Sequence, residues 1–314
     1  MMKWILVTVI SLIHFLALAL GQKLVVAQDG SGDYSTIQAA VDAIPAFPLQ
    51  RMEIHIKNGT YREKLVISSW KTNLSFIGED QEKTIIVYDD YSGKGAINTF
   101  TSYTVLVQGN GFRAENITFR NNAGPVGQAV ALHVEADRCV FKNCRIIGDQ
   151  DTIYAGVDSS RQYYLNCYIE GTTDFIFGPA TAFFENCTVH SKKNSYITAA
   201  STPQGQQFGF VFQNCTFTAS AEATKVYLGR PWRPYAQTVF LNSNLGTHIR
   251  PEGWHNWNKP DAEKTTFYAE YKSTGPGAAK EKRVSWSTQL SRKEARKYIP
   301  EKVMAGADQW VPLK

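Results

Sequence analysis

Residues 143–178 read NCRIIGDQDTIYAGVDSSRQYYLNCYIEGTTDFIFG. The pairs Asn143-Cys144 and Asn166-Cys167 stand 23 residues apart, and each Asn is followed eight positions later by an aspartate, Asp151 and Asp174. An equal offset of marker and carboxylate is what a structural repeat produces. Outward from this stretch the marker recurs in ENITF at Asn116, KNCRI at Asn143, LNCYI at Asn166, ENCTV at Asn186, QNCTF at Asn214 and LNSNL at Asn242, at intervals of 27, 23, 20, 28 and 28 residues. Periods of 20–30 residues with one apolar-flanked strand each imply a solenoid, and strand-only repeats imply a parallel β-helix. The marker asparagines are structural, because Asn tolerates a left-handed corner and its amide can bond along a stack.

Upstream, MEIHIKNGTY, KLVISS, NLSFIGE, TIIVYDD and YTVLVQGNGFRAENITF alternate in strand fashion between Gly, Asn and Asp turns. Before them a short helix is predicted from about Thr36 to Ile44, with Ser35 and Gln38 as its capping box and Pro45 as its stop. A helix there would cover the open end of the strand stack. Beyond Lys259, FYAEYKSTGPGA reads as a strand and turn, and SWSTQLSRKEARKYIP predicts a helix from about Thr288 to Tyr298 that packs on the coils.

The chain has 314 residues with 19% charged and 12% aromatic residues, which excludes disordered and coiled-coil classes. Met1-Met2-Lys3 followed by an apolar run to Leu20 and the small-residue site Ala19-Leu20-Gly21 reads as a secretory signal peptide over residues 1–21. The mature part, 22–314, is then one extracellular domain, and no later stretch could span a membrane. The net charge of +5, of which the leader holds only Lys3, suits an anionic polymer. The basic residues form no run and no nucleic-acid motif, so nucleic acid is excluded as a partner. Cys144, Cys167, Cys187 and Cys215 each follow a marker Asn or its equivalent, so they read as a ladder of small buried side chains rather than a disulfide framework. No CxxC or paired His supports zinc. Of the N-x-[ST] sites, Asn58 and Asn73 are expected to be accessible for glycosylation and Asn116, Asn186 and Asn214 to be enclosed in the ladder.

Equal phase on adjacent coils places Asp151 and Asp174 about 5 Å apart. Two charges at that distance repel by roughly 3 kcal/mol at an effective dielectric near 20. One carboxylate then ionises while the other keeps its proton, as a nucleophile beside a general acid requires. Arg230, in YLGRPW, is the cation expected to hold Asp174 ionised, leaving the proton on Asp151. The same residues would also suit a structural Asp–Arg pair with Pro231-Trp232 as a coil corner.

The motifs GTYRE (59–63), QAVAL (128–132), GDQDTIY (148–154), GTTDFIFG (171–178) and LGRPW (228–232) together resemble the pectin methylesterases (pectinesterases), over about Leu24 to Ala279. The resemblance implies a right-handed parallel β-helix that hydrolyses methyl esters of polygalacturonate with no metal or other cofactor. It implies Asp174 as nucleophile, Asp151 as acid/base, and Gln128 and Gln150 as donors to the oxyanion. Thr99, Gln128, Arg230, Trp232 and Trp254 would contact substrate, methyl-esterified homogalacturonan, and the enzyme would act as a monomer. Asp149, Thr173 and Ile153 depart from the usual pattern, which bears on substrate preference. Paired carboxylates also serve retaining glycoside hydrolases, and a pectate lyase would need a calcium-binding acidic cluster. A silent carbohydrate-binding β-helix would lack part of the set, and here acid, nucleophile, amides and Arg are all present.

Overall fold

In the computed structural model, which describes residues 23–313, every strand pairing is parallel. The region read as a signal peptide lies outside the described residues. The strands form three sheets of eleven, eight and seven strands, and, apart from the two ends of the eleven-stranded sheet, hydrogen-bonded neighbours in each are separated in sequence by one strand of each of the other two. One coil shows the scheme: Arg161–Leu165 lies in the eleven-stranded first sheet, Tyr168–Gly171 in the eight-stranded second and Ile176–Gly178 in the seven-stranded third, and Thr181–Glu185 returns to the first. This is the parallel β-helix expected from the repeats.

Each marker Asn turns the chain from the first sheet into the second. Asn116, Asn143, Asn166, Asn186, Asn214 and Asn242 all have φ between 48° and 58°. The amide of each donates to a carbonyl one coil on, as Asn143 N to Leu165 O (2.9 Å) and Asn166 N to Glu185 O (3.0 Å). Asn73, at φ 54°, lies outside this ladder: it precedes the strand Leu74–Gly78 and turns the chain from the third sheet into the first. Asn186 and Asn214 are exposed and Asn116 is half-buried, so the ladder does not enclose its asparagines as expected, whereas Asn58 and Asn73 are exposed as expected. The residue after the corner points inward instead: Cys144, Cys167, Cys187 and Cys215 are buried free thiols, and Cys167 Sγ donates to Phe141 O at 3.4 Å. Beside them Phe141, Tyr164, Phe184, Phe212 and Phe240 stack ring on ring at 4.5–4.9 Å, one per coil.

The N-terminal helix, Ile37–Ala43, is capped differently from the Ser35–Gln38 expectation. Thr36 accepts from Ala39 N, and the Glu63 carboxylate takes the amides of Ile37 (2.9 Å) and Gln38 (3.0 Å) from a later coil. A long-range carboxylate here replaces the local box. At the other end the predicted 288–298 helix is instead a strand, Thr288–Gln289, joined to the first sheet, and a one-turn helix, Arg292–Ala295, boxed by Ser291 and Glu294. Leu290, Tyr298, Val303, Met304 and Trp310 then pack on Val140, Tyr163, Phe183, Val211 and Val239, the outer face of the first sheet. No helix among the described residues is long and apolar enough to cross a membrane.

Candidate active site

The turns between the second and third sheets carry the chemistry. Ile153 pairs with Ile176, so Asp151 and Asp174, each two residues earlier, stand at equal phase on adjacent coils. Asp151 N donates to Thr173 O (3.0 Å) and Asp174 N to Tyr196 O (2.8 Å), and both aspartates are left-handed, at φ 65° and 49°. Their columnar spacing is that of neighbouring strands, about 4.8 Å. Both are buried, at 8% and 6% exposure.

Arg230 reaches Asp174 as a fork, Nε to Oδ1 at 2.9 Å and Nη2 to Oδ2 at 2.6 Å. Its guanidinium is sandwiched between the rings of Tyr196 (3.9 Å) and Trp257 (3.6 Å). A planar cation held on two faces and along its forked edge has almost no freedom left. Gly229 lets the strand before Arg230 pack this closely: a Cβ there would collide with Thr198 Oγ1. His255 Nδ1 accepts from Trp257 N (2.9 Å), fixing the outer slab of the sandwich.

The two carboxyls are thereby made unequal. Burial, and then the charge of Asp174, push Asp151 up to about 8, with Arg230 pulling weakly the other way. Burial raises Asp174 too, but there the hydrogen bond and charge of Arg230 oppose it directly. Asp174 is the member that ionises first, and Asp151 holds the proton at neutral pH.

Gln128 and Gln150 form a parallel bridge on adjacent coils. Gln150 precedes Asp151, and Ala129 N donates to Gln150 O at 3.0 Å. Both side chains are half-buried, and among the described residues neither carboxamide has a hydrogen-bond partner. Asn121, buried, steadies this strand by directing its Nδ2 to Val130 O (3.1 Å), Ser102 O (3.1 Å) and Asp90 O (2.9 Å). Thr99 lies on the short 3-10 turn Thr99–Thr101, half-buried, and its carbonyl accepts from Ser102 Oγ, which in turn accepts from Val130 N.

The outer face of the third sheet beside these turns is aromatic. Tyr154 and Phe177 pack at 4.9 Å, Phe177 meets Trp232 at 5.8 Å, and the exposed Phe100 lies 5.2 Å from Tyr154. Trp232 is half-buried with part of its surface open. Trp254 is not on this face. It is 1% exposed, stacked on Tyr268 at 4.2 Å in the core, and cannot lie on a sugar face. The tryptophan of EGWHNW beside the site is Trp257, half-buried and three residues on, which sequence reasoning missed together with Tyr196, Tyr154 and Phe177. The departures also find places: Thr173 Oγ1 pairs with Ser195 Oγ at 2.8 Å, Ile153 is buried, and Asp149 faces Lys192. Among the described residues no group of three or more His, Cys, Asp and Glu is placed to hold a metal.

An ionised carboxylate locked by Arg230, beside a protonated carboxyl and two carboxamides without hydrogen-bond partners, is suited to nucleophilic hydrolysis, and the adjoining aromatic face offers a surface for a substrate. The pectinesterase family model matches residues 23–307. Pectinesterase 31 of Arabidopsis thaliana is 39% identical over 285 residues, covering 87% of this chain and 89% of that protein. Pectinesterase 3 of Citrus sinensis is 42% identical over 90% of this chain, which spans about half (51%) of that relative's length. Among solved structures, a pectin methylesterase from carrot superimposes with a TM-score of 0.87 at 38% identity, covering 92% of this chain and 95% of that one. A pectin methylesterase in complex with a hexasaccharide gives 0.79 at 30% identity, over 93% of this chain and 98% of that one. The chain belongs to the pectinesterase family, and it is a carboxylic ester hydrolase that demethylates pectin.

Proposed function

We propose that the reaction runs through a covalent acyl-aspartate, with Asp174 as nucleophile and Asp151 as acid and then base. The Asp174 carboxylate attacks the C6 carbonyl of a methyl galacturonate, and Gln128 and Gln150 donate to the oxyanion that forms. Collapse breaks the ester C–O bond as Asp151 gives its proton to the departing methoxy oxygen, which leaves as methanol. Asp151, now a carboxylate, takes a proton from water, and the hydroxide attacks the mixed anhydride. The polymer leaves with a free carboxyl group, Asp174 is restored as carboxylate and Asp151 as acid. Arg230 keeps the nucleophile ionised and in one rotamer.

The observation that carries this reading is the asymmetry of the pair: one carboxyl is forked by Arg230, while the other, in the same column, is buried without a cation of its own. Thr99, Phe100, Tyr154, Phe177, Trp232 and Trp257 would line the track for the methyl-esterified homogalacturonan. The protein acts as a secreted monomer of one catalytic domain, residues 22–314, without nucleic acid, stable membrane association or cofactor. Purified 22–314 should release methanol from methylated pectin with a chelator present. Chain shortening or unsaturated ends without methanol would overturn the reading.

A further inference from the structure

The carboxylate of Asp149, in the turn that carries Gln150 and Asp151, meets an ammonium from two coils away. Lys192 Nζ lies 2.9 Å from Asp149 Oδ1 and donates to Gly148 O at 3.1 Å, with Glu170 Oε1 farther off at 3.9 Å. The backbone of Lys192 is fixed as well, its N–H donating to Gly171 O at 2.8 Å. One residue thus ties its own coil to the corner that leads to Asp174 and to the turn that carries Gln150 and Asp151. The main chain of Asp149 completes the brace, its carbonyl accepting from Thr172 N (2.9 Å) and Thr152 Oγ1 (3.2 Å).

We infer that Lys192 and Asp149 are positioning residues for the reaction: as a pair they hold the Gly148–Asp151 turn so that the Gln150 carboxamide and the Asp151 carboxyl face the substrate ester. This rests on the roles proposed above for Gln150 and Asp151. A pair of this kind, with side chains 31% and 12% exposed, contributes little to global stability. Its leverage is geometric. Asp151 is non-glycine at φ 65°, a conformation that persists only when its surroundings dictate it. The lysine binds both the side chain and the carbonyl that enter the turn, while neither Gln150 nor Asp151 has a side-chain hydrogen bond of its own. Misplacement of a reacting group by 1 Å costs up to about 10²-fold in rate.

The test compares wild type, Lys192→Met, Lys192→Arg, Asp149→Ala and the Asp149→Ala/Lys192→Met double variant in full-chain enzyme. Initial rates of methanol release give kcat and KM separately, and thermal unfolding gives the melting midpoint. Lys192→Met should lower kcat about tenfold with KM and the midpoint nearly unchanged. Lys192→Arg should restore most of the rate, and the double variant should be no slower than the slower single variant, because the two residues act as one unit. A wild-type kcat in Lys192→Met, single losses that multiply in the double variant, or a rate loss that tracks the midpoint would each overturn the inference. Absence of methanol release by the wild type would instead sink the esterase reading on which it rests.

Discussion

From Asn116 to Asn242 the coils turn through a left-handed Asn between the first and second sheets, and the coils bearing the carboxyls turn through a left-handed Asp between the second and third as well. At the first corner that residue is Asn, at φ 48–58°; at the second it is Asp151 or Asp174, at φ 65° and 49°. The backbone device is the same. Asn143 and Asn166 donate their amides to the next coil at 2.9 and 3.0 Å, and Asp151 and Asp174 do so at 3.0 and 2.8 Å. The side chains differ in charge and surroundings. Asn166 is exposed and its Nδ2 meets Asn143 Oδ1 at 3.3 Å, whereas the aspartates are buried. A turn that costs little with a neutral amide in water becomes a reactive centre when a carboxyl is buried there, and Arg230 is the price of keeping one of the two ionised.

The sharpest way to break this comparison is to make the second corner like the first. Asp174→Asn keeps a residue type that the solenoid already accommodates at this φ, so the fold and melting midpoint should survive. Methanol release should fall by at least about 10⁴-fold, as for other removed nucleophiles. Activity retained in this variant would move the nucleophile elsewhere. Gln150→Ala tests the neutral amide inside the reactive corner. Loss of one oxyanion donor should lower kcat by about 10²–10³-fold with little change in KM; a change confined to KM would make Gln150 a ground-state contact only.

The same comparison explains what was legible in the sequence. Both corners recur in step with the coil, so the Asn spacing disclosed the solenoid and the equal offset of Asp151 and Asp174 disclosed the column. The Arg230 partner followed from the cost of an unpaired buried carboxylate beside Phe175. What could not be read off was whatever depends on irregular loops rather than phase. Trp254 and Trp257 stand three residues apart, and only the path of the 251–258 loop, with Trp257 at φ 58°, sends one into the core and the other over Arg230. Tyr196 shares the Asp174 column but follows a longer turn, which breaks the count. Glu63 caps the first helix from 26 residues away, and no local capping pattern announces that.

Charge at the second corner should also be visible in stability. Asp151 is raised from a carboxylate's usual range to about 8 by burial and by Asp174, while in the unfolded chain it sits near 3.9. The folded form therefore binds the proton more tightly. Its stabilising contribution is complete below about pH 4 and is lost as pH rises through about 8. Asp151→Asn removes that loss, so the variant, though slow in catalysis, should melt above wild type by a gap that widens from pH 5 to 8, to the order of 5 °C. A gap independent of pH would mean that Asp151 does not hold a proton in the folded enzyme.

The smallest effect belongs to the corner without charge. Asn166→Ala forces a Cβ residue without local polar support into φ 54°, which costs roughly 1–2 kcal/mol. Asn166→Gly relieves that strain and should unfold within a few tenths of a kcal/mol of Asn, since glycine enters this region freely but loses more entropy on folding. Neither change alters a group that faces the ester, so kcat and KM should stay at wild-type values in both. The ordering Asn ≈ Gly > Ala in denaturant midpoint, with unchanged methanol release, would show that left-handedness alone is what the first corner needs. An activity loss in Asn166→Gly would show instead that the two corners are mechanically coupled across the second sheet, so that the structural ladder also sets the position of the carboxyl column.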